Sequence, residues 1–203
     1  NANFIQVLDV SRSMRYKGTA GTPSAVSKLE YGCFLAASLA YFSSGQRDRI
    51  GLATFDADLV DYIPCSAKHL RLILHSLDRA NREGHLPLPT GKPPHPRTSM
   101  LKPLARLSES TRRRSIVALI SDLYEEPDAI LDALGHLRGK GNDLVVFHLL
   151  DHTEIDFPFA DATNFVDIET GDRMPVIPDY LRKQYRELVA EHSAALAKRT
   201  REH

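Results

Sequence analysis

Along the 203 residues, apolar positions fall into short unbroken runs that alternate with stretches of helical periodicity. Phe4–Val10 is the first run, too short for a helix and mostly apolar, and it predicts a buried strand closing on Asp9. A polar stretch follows from Ser11 to Ser27, with Gly18, Gly21 and Pro23 as turn residues. Ser27 and Glu30 have capping-box spacing, and Leu29–Phe42 beyond them is Ala-rich and nearly uncharged. That predicts a helix buried on most faces and stopped by Gly45. Arg49–Phe55 and Leu59–Pro64 read as strands joined by the turn Asp56–Asp58, and so short a link makes them antiparallel. His69–Ala80 is an amphipathic helix. Glu83–Pro96, with five prolines and two glycines, is a loop. Then come a short helix at Met100–Leu107, a strand at Ser115–Asp122, and a helix at Pro127–Arg138 that starts on Pro and stops at Gly139 and Gly141. A strand at Leu144–Asp151, a short strand at Phe165–Glu169 and a long polar helix at Pro178–Arg199 complete the chain.

Strands that alternate with helices and are apolar throughout predict one α/β domain over residues 1–203. The expected architecture is a doubly wound, mostly parallel six-stranded sheet in the order 3-2-1-4-5-6, with one antiparallel edge strand and helices on both faces. Ligands of such sheets collect beyond the C-terminal ends of the strands. Strand one ends at Asp9 and strand four at Asp122, so both carboxylates reach that edge.

Composition narrows the function. Lys+Arg and Asp+Glu are 26 each, and this balance argues against a general nucleic-acid or anionic-membrane binder. No apolar run approaches the roughly 18–20 residues of a membrane span. Cys33 and Cys65 are isolated, which fits buried thiols in a reducing, cytoplasmic setting. The chain enters a strand immediately after Asn1-Ala2-Asn3 and so reads as part of a longer protein, in which any membrane anchor or targeting signal would lie outside this sequence. Arg112–Arg114 and Lys198–Arg201 read as solvated surface. The acidic set Asp151, Glu154, Asp156, Asp161, Asp167 and Glu169 reads as a solvated loop or as a partner for those basic runs. The nine histidines show no paired zinc spacing. Gly91-Lys92-Pro93 is no phosphate loop, because Pro stands where Ser or Thr would bind Mg²⁺.

The chemistry concentrates in Asp9-Val-Ser11-Arg-Ser13. Residues at spacing two can face one point as a strand gives way to a turn, and carboxylate and hydroxyl oxygens are the ligands of hard cations; Mg²⁺ takes about six. Asp122 adds a second carboxylate, and Thr98 can add a third hydroxyl. If the hydroxyls bind directly and the aspartates act through water, the inner shell is neutral and the ion keeps a demand for an anionic oxygen, which a partner Glu or Asp supplies. Each residue also has an ordinary reading: Ser11 and Ser13 as local caps, Thr98 as a helix cap, Asp122 as a surface acid. Arg12 and Arg15 are solvated or steer an acidic partner. Asp56 and Asp58 are turn residues.

The ordered trio of Asp9-Val-Ser11-Arg-Ser13-Met, Thr98, and Ser121-Asp122 closing a strand resembles the metal-ion-dependent adhesion site of von Willebrand factor A domains. Lys28-Leu-Glu-Tyr31, Asp48-Arg-Ile-Gly51, Leu119-Ile-Ser-Asp-Leu123, Phe147-His-Leu-Leu-Asp151 with Glu154, Phe165-Val-Asp-Ile-Glu169 and the Leu181–Tyr185–His192 helix are similar to the bacterial branch called domain of unknown function 58. The resemblance implies a non-catalytic interaction domain with Mg²⁺, Mn²⁺ or Ca²⁺ on Asp9, Ser11, Ser13, Thr98 and Asp122, and a MoxR-type AAA+ ATPase as partner. His95-Pro96-Arg97 stands where the family has glycines before the threonine, which leaves Ser99 as the alternative hydroxyl.

Two other functions stay open. A metal-dependent phosphohydrolase would use the same edge, although Ser11 replaces the second Asp of an Asp-x-Asp nucleophile pair. A scaffold with a vestigial metal site is the other. If the site binds a partner, the loop Glu83–Pro96, which runs into Thr98, is the segment expected to shift.

Overall fold

The computed structural model describes residues 2–18, 26–84, 99–111, 114–161, 163–167 and 171–202. The strands β1 (Asn3–Asp9), β2 (Arg49–Phe55), β3 (Leu59–Ser66), β4 (Ile116–Ser121) and β5 (Asp143–His148) form one sheet in the order β3-β2-β1-β4-β5. β1 lies between β2 and β4 and is parallel to both; β5 is parallel to β4, and β3 is antiparallel to β2. The parallel sheet with one antiparallel edge strand is therefore as the apolar runs predicted.

Because side chains alternate across a strand, each strand feeds two cores. Ile5 and Val7 pack with Leu104 and Leu107 of α3 (Leu101–Ser110), Ile130 of α4 (Pro127–Arg138) and Leu196 of α6 (Pro178–Glu202). Leu8, one position on, packs with Leu29, Cys33 and Ala36 of α1 (Lys28–Gly45) and with Ile73 of α2 (Leu70–Gly84). Both sheet faces are thus covered, which is why β1 and β4 are mostly apolar on both faces rather than alternating.

Three expectations change. The expected six-stranded sheet has five strands among the described residues. Of the segment predicted as its sixth strand, Phe165–Glu169, Phe165 and Val166 belong to β6 (Thr163–Val166), which pairs antiparallel with β7 (Arg173–Val176) in a separate two-stranded sheet, while residues 168–169 lie outside the described residues. A local return closes it: Gly171 donates to the Asp167 carbonyl at 2.8 Å with a positive φ of 79°, and Asp167 donates to the Asp172 carbonyl at 2.9 Å. Phe165 then stacks on Phe157 at 5.6 Å and meets Phe159 edge-on at 5.0 Å, so its apolar partners are aromatic rings outside the main sheet.

The strand expected to run to Asp151 stops at His148, and a short helix, α5 (His152–Asp156), follows. Asp151 accepts the Thr153 amide and Glu154 reaches back to the Asp151 amide, a capping box that accounts for the break. The helix expected to be buried on most faces, α1, buries one stripe, including Leu29, Gly32, Cys33, Ala36 and Ala40. Those mostly small residues let it approach the sheet closely, and Tyr31, Phe34, Tyr41 and Phe42 face solvent. Among the described residues, no helix is long and apolar enough to cross a membrane.

Candidate functional site

Asp9 is the last residue of β1 and is buried. It shares the sheet face of Ile5 and Val7, and Ser121, the last residue of β4, shares the face of Val117 and Leu119. The parallel register pairs Leu8 with Ile120, so the next residues meet. The Ser121 hydroxyl donates to Asp9 Oδ2 at 2.7 Å, and the Ser11 amide donates to Oδ1 at 2.9 Å. Both carboxylate oxygens are therefore oriented.

Beyond Asp9 the chain turns through a single 3-10 turn, Ser13–Arg15, closed by the Met14 amide on the Ser11 carbonyl and the Tyr16 amide on the Ser13 carbonyl. Met14 is fully buried beneath it and anchors the turn to the α1 side of the core. This brings the Ser11 and Ser13 hydroxyls to 3.1 Å of each other. Hydrogen bonds thus link Asp9, Ser11 and Ser13 into one continuous set.

Asp122 follows β4 and is buried. Its Oδ2 accepts the Lys28 ammonium at 2.9 Å. Burial first, and then the negative charge of Asp122, hold the Asp9 carboxyl well above the ordinary carboxylate range, against the hydrogen bonds from Ser11 and Ser121. The Asp122 carboxylate is therefore close enough to oppose the ionisation of Asp9.

Thr98 lies outside the described residues, as do Lys92 and nearly all of the Glu83–Pro96 loop. Ser99 is exposed, and its hydroxyl accepts the Leu101 amide at 3.4 Å. The start of α3 is fixed by Glu125, whose carboxylate accepts the Met100 amide at 2.7 Å. Burial raises the Glu125 pKa, opposed by the Met100 amide and the Ser99 hydroxyl.

Several neighbours are not among the expected site residues, although Lys28, His148, Glu154 and His192 lie in the family-like segments. Lys28 bridges Asp122 and Glu154, and Tyr124 and Tyr16 lie beside its ammonium. His148 bonds the Asp122 carbonyl at 3.0 Å, and His192 bonds the Leu123 carbonyl at 2.8 Å, where Leu123 has a positive φ of 50°. Together they hold the backbone after β4 in an unusual conformation. Burial lowers the His148 pKa, opposed by that carbonyl bond.

Of the acidic set, the described residues Asp151, Glu154 and Asp156 have their partners nearby. Asp151 and Glu154 serve the α5 cap and Lys28, and Asp156 pairs with His152 and Arg186. Of the basic residues, Arg114 pairs with Asp143 and Arg199 with Asp128. Asp58 binds Lys102 at 2.8 Å and Arg106 at 2.6 Å, so this turn residue also anchors α3.

Among the described residues, no cluster of three or more His, Cys, Asp or Glu side chains can hold a metal by itself. A cation here depends on the hydroxyls. The donor set fits one: oxygen atoms throughout, two buried carboxylates of which Asp9 is destabilised as an anion by burial and by Asp122, and serines held side by side.

A family model described as "Protein of unknown function DUF58" matches residues 1–195. No curated protein matches. Among solved structures, the conserved hypothetical protein BatB from Bacteroides thetaiotaomicron is similar, with a TM-score of 0.57 and 14% identity over 98% of this chain and 100% of that one. An aerotolerance-related membrane protein from Bacteroides fragilis NCTC 9343 is similar at a TM-score of 0.55, again with 14% identity, 98% of this chain and 100% of that one. At this identity the likeness is one of fold.

Proposed function

The chain belongs to the DUF58 family, and from that premise we propose that it is a non-enzymatic interaction module that holds a divalent cation on Asp9, Ser11, Ser13 and Asp122 and presents it to a carboxylate of a protein partner. The observation that carries this reading is the hydrogen-bonded run of Asp9, Ser11 and Ser13 at the C-terminal edge of the sheet, beside a second buried carboxylate. Mg²⁺ or Mn²⁺ is the expected ion, because oxygen donors of this kind suit hard cations; Ca²⁺ is the larger alternative. Thr98 is the further hydroxyl this reading assigns.

When bound, the ion supplies a positive centre that an acidic side chain can complete. The chain's own residues do the rest. Ser121 and the Ser11 amide orient Asp9, Met14 pins the serine turn, and Lys28 orients Asp122. Recognition of a carboxylate in this way is directional, so it favours a specific partner over general acidity. A MoxR-type AAA+ ATPase is the partner that the family resemblance suggests.

The test is binding of a fluorescent peptide with a single Glu, measured with Mg²⁺ and again with a chelator. Binding that needs the ion and is lost on Glu→Gln in the peptide supports the reading. Binding that survives the chelator contradicts it.

A further inference from the structure

Lys28 occupies the first turn of α1, where a lysine ordinarily extends its charge into water. Here its side chain is 3% exposed, and its two carboxylate partners are 4% exposed (Asp122) and 11% exposed (Glu154). Nζ donates to Asp122 Oδ2 at 2.9 Å and to Glu154 Oε1 at 2.8 Å. It lies 4.6 Å from the Tyr124 ring centroid and 5.8 Å from that of Tyr16. One buried ammonium thus serves two carboxylates from different elements.

Glu154 belongs to a larger unit. Its Oε2 accepts the Asp151 amide at 2.7 Å, and Asp151 in turn accepts the Thr153 amide at 2.8 Å and the Gly18 amide at 3.2 Å. The Tyr16 and Thr153 hydroxyls meet at 2.9 Å. α5 and the segment after the serine turn therefore form one bonded body, and Lys28 joins that body to Asp122.

Resting on the cation-site reading, we propose that Lys28 is a positioning residue that couples the site to α5. Its ammonium fixes Asp122 through Oδ2 and so sets how that carboxylate faces the site. The same ammonium holds Glu154, so a change at Asp122 reaches residues 151–156. The physical basis is the high stake of a buried pair: altering one partner leaves the shared charge to the other. A dication drawn to Asp122 also repels the ammonium, and Glu154 is the carboxylate placed to retain it. The short helix α5 thereby becomes the element that registers occupancy of the site.

Amide hydrogen exchange of residues 151–156 tests this without a metal. Asp122→Asn is expected to change exchange there by about tenfold, the scale of coupling within one ion-pair network. In a Lys28→Met background the same substitution is expected to change nothing further. If Lys28→Met does not fold, the Asp122→Asn and Glu154→Gln pair in the Lys28 background replaces it, with a non-additive double variant expected. No effect of Asp122→Asn on residues 151–156, or strictly additive effects, overturns the coupling. A second arm titrates Mn²⁺: Glu154→Gln is expected to shift its affinity at least about threefold. Unchanged affinity in a chain that binds Mn²⁺ also overturns the coupling. If the unaltered chain binds no Mn²⁺, the cation reading fails while the exchange arm still decides the role of Lys28.

Discussion

The Ser121 hydroxyl donates to Asp9 Oδ2 at 2.7 Å across 112 residues of sequence, and this bond joins the ends of the two central strands at the candidate site. The Ser121 oxygen also accepts the Leu123 amide at 3.1 Å, so one small side chain orients a carboxylate and begins the turn after β4. Ser121→Ala leaves a buried carboxylate oxygen and a buried amide without that partner. It is expected to cost about 1–3 kcal/mol in urea unfolding, the scale for an unmet buried polar group. A variant as stable as the parent would show that Asp9 does not depend on Ser121.

The fold was legible in the sequence wherever burial dictated the pattern. β1 and β4 are covered on both faces, and their largely apolar runs announce it. What stayed hidden was partner choice. Phe165 has strand character, yet nothing local says that its strand joins a hairpin with Arg173–Val176 rather than the main sheet. Asp151 and Glu154 carry a capping-box spacing, but set in an acidic stretch they read as loop. At the site, the Asp-Ser-Ser spacing was readable because its contacts are two residues apart. Lys28 was not, because its two carboxylates lie 94 and 126 residues away and only the folded topology brings them to it.

Gln6 offers a direct test of core polarity. It is fully buried, on the face of β1 that carries Leu8, and neither of its side-chain amide atoms has a hydrogen-bond partner among the described residues. Gln6→Met keeps the length of the side chain and removes the desolvated amide. It is expected to stabilise the protein by about 1–3 kcal/mol in urea unfolding. A loss of stability would show that the amide is satisfied and structurally needed.

The thiols should be sluggish. Cys33 is buried and burial pushes its thiol up to about 12; burial likewise pushes Cys65 up to about 11. Reactivity follows the thiolate. Ellman's reagent at pH 8 is therefore expected to modify Cys65 slowly and Cys33 only on unfolding. Prompt reaction of both in the native protein would contradict this burial.

Acid should loosen the α5 corner. Burial raises the Asp151 carboxyl, but the Thr153 hydroxyl and amide, the Gly18 amide and the Lys28 charge together hold it below its ordinary value. A depressed carboxylate contributes stability that is fully present above its unfolded value of about 3.9 and is lost as pH falls through the lower folded value. Asp151→Asn is expected to flatten the acid limb of the stability–pH curve in that window, and Asp151→Ala to cost about 1 kcal/mol at neutral pH as a lost cap. An acid limb identical in Asp151→Asn and the parent would remove Asp151 from the account.

The most direct measurement is Mn²⁺ binding followed by electron paramagnetic resonance, on the intact chain and on Asp9→Asn, with urea unfolding to verify that both are folded. The account predicts one Mn²⁺ per chain, displaced by excess Mg²⁺, and an affinity at least about tenfold weaker in Asp9→Asn, the scale of loss when a carboxylate that supports the ion through the outer shell is altered. Equal Mn²⁺ binding by the two folded chains, or none by the intact one, would contradict it.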